Sequence, residues 1–308
     1  MDASFTPEQD ELRAQARSFL EATPEPTWGQ LAELGWTGVS VPEEQGGAGL
    51  GFLEQAVLHE ELGRALTPGP FYSTVAVALP ALPPEEQARV ARGETSWVLA
   101  LGPLVPDLGT AERIAVVGGS GIYELVGAER ELLDTSDETR PLGILAGGET
   151  GDVLSSTDVL PEIRRRSLVA LALEACGAGR RALELTVEYA LQREQFGRPI
   201  GSYQAVAHPL ATSYMELELA RSLAIWAAWC VDAADPAAPV AAAAAKSQAS
   251  QAAVTACERA IQAHGGVGFT WEHVLHRLYK RALWIRSWEA TGEQLRTEVA
   301  SYLLDGGE

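Results

Sequence analysis

Arg193-Glu194-Gln195-Phe196-Gly197-Arg198-Pro199 and Gln262-Ala263-His264-Gly265-Gly266-Val267-Gly268-Phe269-Thr270 punctuate a run of long helical patterns, and their reading decides the C-terminal half. Arg165 to Gln192 precedes the first as one continuous pattern. Gln204 to Ala233 and Val240 to Ala263 follow it, and Glu272 to Trp288 with Gln294 to Leu304 supply the last pieces. The connections are short and rich in proline and glycine, as in Pro199-Ile200-Gly201-Ser202 and Asp235-Pro236-Ala237-Ala238-Pro239. Long helices with short connections predict an antiparallel four-helix bundle over residues 161–308. Arg193 sits where a helix ends and its dipole is negative, so a plain helix-end cation is one reading of it. The glycines at 265 and 266 permit close approach of a ligand to the backbone, although a helix–helix turn accommodates them equally.

Upstream of the bundle, residues 94–160 change texture. Trp97 to Leu101, Arg113 to Val117 and Ile122 to Val126 are short apolar runs separated by Gly, Pro and Asp, which read as strands. Gly118-Gly119-Ser120-Gly121 lacks the third glycine of a dinucleotide fingerprint and no helical pattern follows it, so it reads as a hairpin turn. Residues 1–93 read as a helical domain. Pro7 to Ala22 has helical spacing with Thr6 as N-cap, Trp28 to Leu34 and Gly51 to Leu66 continue it, and Phe71 to Leu79 is a further helix. The fold class is therefore mainly α: an N-terminal helical domain, a reduced β domain and a C-terminal bundle.

Of 308 residues, 42 are acidic and 23 basic, a formal charge of -19 that argues against a nucleic-acid partner. The charge is uneven: residues 1–93 hold 14 acids and 5 bases, 94–160 hold 12 and 3, and 161–308 hold 16 and 15. An anion is therefore to be sought in the C-terminal half. No apolar run suggests a membrane span, and the first residues lack a basic stretch followed by an apolar one, which predicts a cytoplasmic chain. Cys176, Cys230 and Cys257 lie in alanine-rich patterns, as small buried hydrophobes rather than a disulfide or metal framework.

Taken in order, these segments resemble the acyl-CoA dehydrogenase family over nearly the whole chain. Leu31 to Trp36 followed by Val41 to Gly47 is similar to its opening domain. Arg193 to Gly197 with Gln204 resembles its Arg-x-x-Phe-Gly…Gln signature, and Gln262 to Gly268 its Gln-x-x-Gly-Gly-x-Gly signature. The resemblance implies FAD as cofactor, with Arg193, Gln195, Phe196, Gln204, Gln262, Gly265, Gly266 and Thr291 as its binding residues. It also implies that the signatures of one subunit hold the diphosphate and adenosine of an FAD whose flavin lies in a neighbour. A guanidinium fork with close-approaching backbone amides suits a diphosphate.

The family's catalytic base is a glutamate in an aromatic-Glu-Gly-Thr context, and Trp288-Glu289-Ala290-Thr291 puts Glu289 there. The implied reaction is α,β-dehydrogenation of an acyl-CoA to the 2,3-enoyl-CoA, with an electron-transfer flavoprotein as acceptor. A solvated carboxylate is the bland reading of Glu289. Ala290 replaces the usual glycine, and Glu293 stands where a Gln near the adenine is usual. Some relatives carry the base on the first helix of the bundle, where Glu174 is the second candidate. Residues 94–160 lack the Thr-Glu-Pro…Gly-Ser-Asp and Trp-Ile-Thr segments that wall the flavin in full-length relatives. Such shortening resembles subunits that pair with a second, more complete dehydrogenase chain in heterotetramers acting on bulky thioesters. The alternative readings are a non-catalytic scaffold completing the partner's FAD site, a homo-oligomer, or an oxidase. No metal site is expected: Glu272, His273 and His276 read as a surface cluster, and His59-Glu60-Glu61 lacks a second His. Arg164-Arg165-Arg166 reads as a solvated helix start that could attract a CoA phosphate.

Overall fold

The computed structural model describes residues 6–305. Helix α1 (Pro7–Ala22) starts at a reciprocal cap: Thr6 Oγ1 accepts from the Gln9 amide, and Gln9 Oε1 accepts from the Thr6 amide. Thr27 and Gln30 repeat the device at α2 (Trp28–Glu33). Helix α3 (Phe52–Ala65) buries every residue from Gln55 to Gly63, including His59, Glu60 and Glu61. The helix expected over Phe71 to Leu79 is present as a wider π-helical turn, Tyr72–Ala78. Its Thr74 hydroxyl donates to the Trp97 carbonyl at 2.8 Å and accepts from the Trp97 amide at 3.0 Å, which ties the turn to the β region. Helix α4 (Pro84–Ala91) completes the N-terminal part.

The β region holds two small sheets. One has the order β1 (Trp97–Ala100), β3 (Arg113–Gly118), β4 (Gly121–Val126), β7 (Glu149–Ser156); the other has β2 (Val105–Pro106), β6 (Leu142–Ala146), β5 (Glu129–Leu133). Only β1 and β3 pair in parallel. Gly118 pairs with Gly121, so Gly119-Ser120 is the two-residue hairpin turn anticipated, with Gly119 at φ +55°. Strands β5 and β7 escape sequence reading because they are largely exposed and polar and lack an alternating apolar face.

The C-terminal helices are α5 (Leu160–Gln192), α6 (Gln204–Asp232), α7 (Ala238–His264), α8 (Leu275–Ser287) and α9 (Gly292–Leu304). Buried alanines along α7, from Ala241 to Ala260, leave room for α5 and α6 to close on it. Helix α3 meets α5 backbone to backbone: a Cβ on Gly177 would lie 1.9 Å from the Glu60 carbonyl oxygen, and one on Gly63 would lie 2.3 Å from that of Glu174. The three cysteines are free and buried. Among the described residues, no helix is long and apolar enough to cross a membrane.

Candidate active site

Glu289 lies between α8 and α9, where the chain reverses over three residues. The Ala290 amide donates to the Trp288 carbonyl at 2.8 Å, and Glu289 takes φ +61°. That combination is a γ-turn of the rare left-handed kind, and a non-glycine residue held in this region costs about 1–3 kcal/mol. The opposing restraint is Lys246, fully buried on α7, whose Nζ donates to both flanking carbonyls, Trp288 and Ala290, at 2.5 Å each.

The Glu289 carboxylate is gripped from two other parts of the fold. Its Oε1 accepts from the Tyr72 hydroxyl of the π-turn at 3.1 Å and from the Ser167 hydroxyl of α5, and these two hydroxyls are 2.7 Å apart. Beside it opens a cavity of about 750 Å³ whose walls are mostly apolar and come from all three regions: Tyr72 and Val77, Leu99 and Leu104, and Trp284 and Trp288. The two indoles stack with centroids 5.1 Å apart. Glu289 as a whole residue is exposed, yet protein atoms crowd its carboxyl end, and desolvation acts on the carboxyl. Burial raises its pKa, against the hydrogen bonds from Ser167 and Tyr72 and the charges of Lys246 and Arg164. Burial likewise brings Lys246 down to about 8, and burial and the Glu289 charge hold Tyr72 well above its ordinary value, so it stays a donor.

Glu174 is placed for structure. It lies within a buried network in which Arg140 Nη2 reaches its Oε2 at 3.0 Å, Arg281 Nη1 reaches the same oxygen at 3.3 Å, and His59 Nδ1 stands 3.4 Å from Oε1. Burial pushes this carboxyl upward, but Arg140, the His59 contact and Arg281 outweigh it and hold the pKa down to about 2. A carboxylate neutralised by two arginines is a poor proton acceptor.

The residues expected at a cofactor divide between two places. Arg193 to Arg198 form a tight hairpin, β8 (Glu194–Gln195) and β9 (Arg198–Pro199), whose turn residues Phe196 and Gly197 have φ +52° and +79°. This geometry usually selects Asn-Gly; here it holds a phenyl ring 94% exposed at the tip. The Arg193 guanidinium is exposed and unpartnered among the described residues. Tyr189, one turn before Arg193, stacks on His264 with centroids 4.3 Å apart, which brings the hairpin to the glycines that follow α7. Gly265 there takes φ +62° and ψ -138°, a conformation that favours glycine, and a Cβ on either Gly265 or Gly266 would meet nothing within 4 Å. The Tyr203 hydroxyl donates to the Gln195 carbonyl at 3.0 Å, and a cleft lined by Ala205, Val206 and Gln262 joins the start of α6 to the end of α7. Arg193, Gln195, Phe196, Gln204, Gln262, Gly265 and Gly266 thus share one end of the bundle.

Thr291 does not join them. It follows Glu289 and caps α9, its hydroxyl accepting from the Gln294 amide at 3.3 Å. Lys246, beside that turn, and Gln262 are both on α7, sixteen residues and so about 24 Å apart. From Ser167 to Arg193 along α5 is about 39 Å by the same helical rise. Sequence reasoning missed Tyr72, Ser167 and Lys246. Lys246 carried a signal, a lone charge within Ala241 to Ala249, but the two hydroxyls carried none.

Residues 166–304 match the model of the acyl-CoA dehydrogenase C-terminal domain and residues 6–87 that of the N-terminal domain. Acyl-CoA dehydrogenase IpdE2 of Mycobacterium tuberculosis is 38% identical over 265 residues, covering 84% of this chain and 80% of that protein. The chain belongs to the acyl-CoA dehydrogenase family. Like its FAD-dependent relatives, this family member keeps the helical–β–helical plan. IpdE2 of Mycolicibacterium smegmatis is 32% identical over 88% of this chain and 85% of its own length. Among solved structures, the ChsE4-ChsE5 complex from Mycobacterium tuberculosis contains a chain that superposes with a TM-score of 0.89 at 25% identity, covering 99% of both chains.

Proposed function

We propose that this chain is a subunit of a heteromeric acyl-CoA dehydrogenase in which Glu289 removes the α-proton of a CoA thioester, the product being the 2,3-enoyl-CoA. The observation that carries the reading is a carboxyl of raised pKa at the wall of an apolar cavity where three parts of the fold meet. A carboxylate whose pKa is raised by the protein atoms crowding it is a stronger base than an ordinary one, which suits abstraction of a weakly acidic C–H proton. In the reading, Ser167 and Tyr72 hold one carboxylate oxygen, Oε1, and leave Oε2 for the substrate.

Seven residues at the far end of the bundle fit the diphosphate end of FAD: an unpartnered guanidinium, an exposed aromatic ring and glycine backbone open to approach. When bound, FAD supplies the hydride acceptor at the substrate β-carbon. The roughly 39 Å along α5 between Ser167 and Arg193 exceeds what one extended FAD can bridge, so Glu289 and Arg193 of one chain belong to different sites. Each site then needs a second chain. A second, fuller dehydrogenase subunit in a heterotetramer is the partner we favour over a homo-oligomer, supported by the short β region and the likeness to the ChsE4-ChsE5 complex. An electron-transfer flavoprotein is the acceptor this reading implies.

Glu289→Gln in the assembled, FAD-loaded complex tests it. Turnover should fall by about 10²–10⁴-fold with FAD retained. Undiminished turnover would assign the base to the partner and leave this chain a scaffold.

A further inference from the structure

We propose that Lys246 is a positioning residue for the reaction: by bridging the carbonyls on both sides of Glu289 it holds the left-handed turn that aims the carboxyl, and its charge keeps that carboxyl ionisable. The inference rests on the reading of Glu289 as the base. The geometry is specific. A three-residue turn at φ +61° places the Trp288 and Ala290 carbonyls so that one ammonium reaches both at 2.5 Å. An ammonium, with three donors on a compact head, suits two converging carbonyls, and among the described residues the Lys246 ammonium has no other hydrogen-bond partner.

Neighbouring groups leave Lys246 as the principal cation acting on Glu289. The charged groups acting on Lys246 are Glu289, from the turn, and Arg164 from α5. Facing Glu289 are the neutral hydroxyls of Tyr72 and Ser167 and the charges of Lys246 and Arg164, and Arg164 is also engaged by Glu298 of α9 at 2.7 Å. Lys246 bonds the backbone on both sides of Glu289 and its charge acts through space on the carboxyl, so it bears on both the position and the charge of Glu289. Ser247, the next residue on α7, donates to the Gly292 carbonyl at 3.1 Å and extends the grip to the start of α9.

The test compares wild type, Lys246→Met and Lys246→Arg in the purified full chain, with Glu residues carrying carbon-13 at the carboxyl and Glu289 assigned by the signal lost in Glu289→Gln. Removing the cation should raise the Glu289 midpoint by about one pH unit and speed exchange of the Ala290 amide, while Lys246→Arg keeps the midpoint near wild type. An unchanged midpoint and unchanged exchange in Lys246→Met would overturn the proposal. Should Lys246→Met not fold, wild type decides. Exchange of the Ala290 amide should rise beyond its ordinary base-catalysed increase as Lys246 loses its proton near pH 8, and the absence of such a break would overturn the proposal. Turnover of Glu289→Gln in the assembled enzyme separates this from the base assignment. Intact turnover with a shifted midpoint in Lys246→Met refutes the base and leaves the clamp; lost turnover with no shift refutes the clamp and leaves the base.

Discussion

Arg281→Met should destabilise the fold severely while leaving the cavity beside Glu289 lined as before. Arg281 is fully buried; its Nε donates to Asp137 Oδ2 at 2.6 Å, its Nη2 to Thr139 Oγ1 at 2.7 Å and its Nη1 to Glu174 Oε2 at 3.3 Å. Glu174 keeps Arg140 in the variant, but Asp137 loses its one salt-bridge partner among the described residues and retains the hydrogen bonds of the Thr139 amide and hydroxyl and the more distant charge of Arg140. Removing one partner of a buried ion pair costs about 3–5 kcal/mol. With an unfolding entropy near 2.1 cal/mol/K per residue, the chain of 308 residues loses about 5–8 °C in Tm. Scanning calorimetry of wild type, Arg281→Met and Arg281→Met/Asp137→Leu measures it, the double variant recovering part of the loss by removing the stranded charge. The pH dependence has a fixed sign. Burial alone would raise the Asp137 pKa, but Arg281 and Thr139 pull it below its ordinary 3.8, so its contribution is whole above that value and disappears as pH falls through the folded value. The gap between wild type and Arg281→Met should therefore close in acid. A loss under about 2 °C at pH 7, or a gap that widens on acidification, refutes a stabilising role for the buried pairing of Arg281 on α8 with Asp137.

Gly177→Ala, whose methyl would run into the Glu60 carbonyl, should cost at least about 1–3 kcal/mol by urea unfolding with no change in fold. Wild-type stability should fall steeply between pH 4.5 and about 2, the window between the ordinary and the folded pKa of Glu174, as read from urea midpoints across that range. Arg193→Ala, exposed and unpartnered, should leave stability within about 0.5 kcal/mol. In the assembled complex it should weaken FAD binding roughly 10–100-fold, the worth of a charge-assisted hydrogen bond, by flavin fluorescence titration.

The sequence by itself determined the long helices and much of their limits, though not the short α4, because caps such as Thr6 and breakers such as Pro199 act over a few residues. It marked three of the seven strands of the β region; β5 and β7 pair through their backbones while exposing polar side chains, which leaves little periodic trace. It also marked the two glycine-bearing signatures, and the stack of Tyr189 on His264 brings them together. Only the tertiary structure decided the rest of the candidate site. Thr291, grouped by resemblance with Arg193, lies instead beside Glu289, and Glu174, a carboxylate like Glu289 in the sequence, is locked between Arg140 and Arg281. Tyr72, Ser167, Lys246 and Glu289 come from four separate elements, and a carboxyl's pKa follows from what surrounds it in space. Chain order records local torsional preference and pattern; the meeting of distant side chains, and the electrostatics it creates, exists only after the helices have packed.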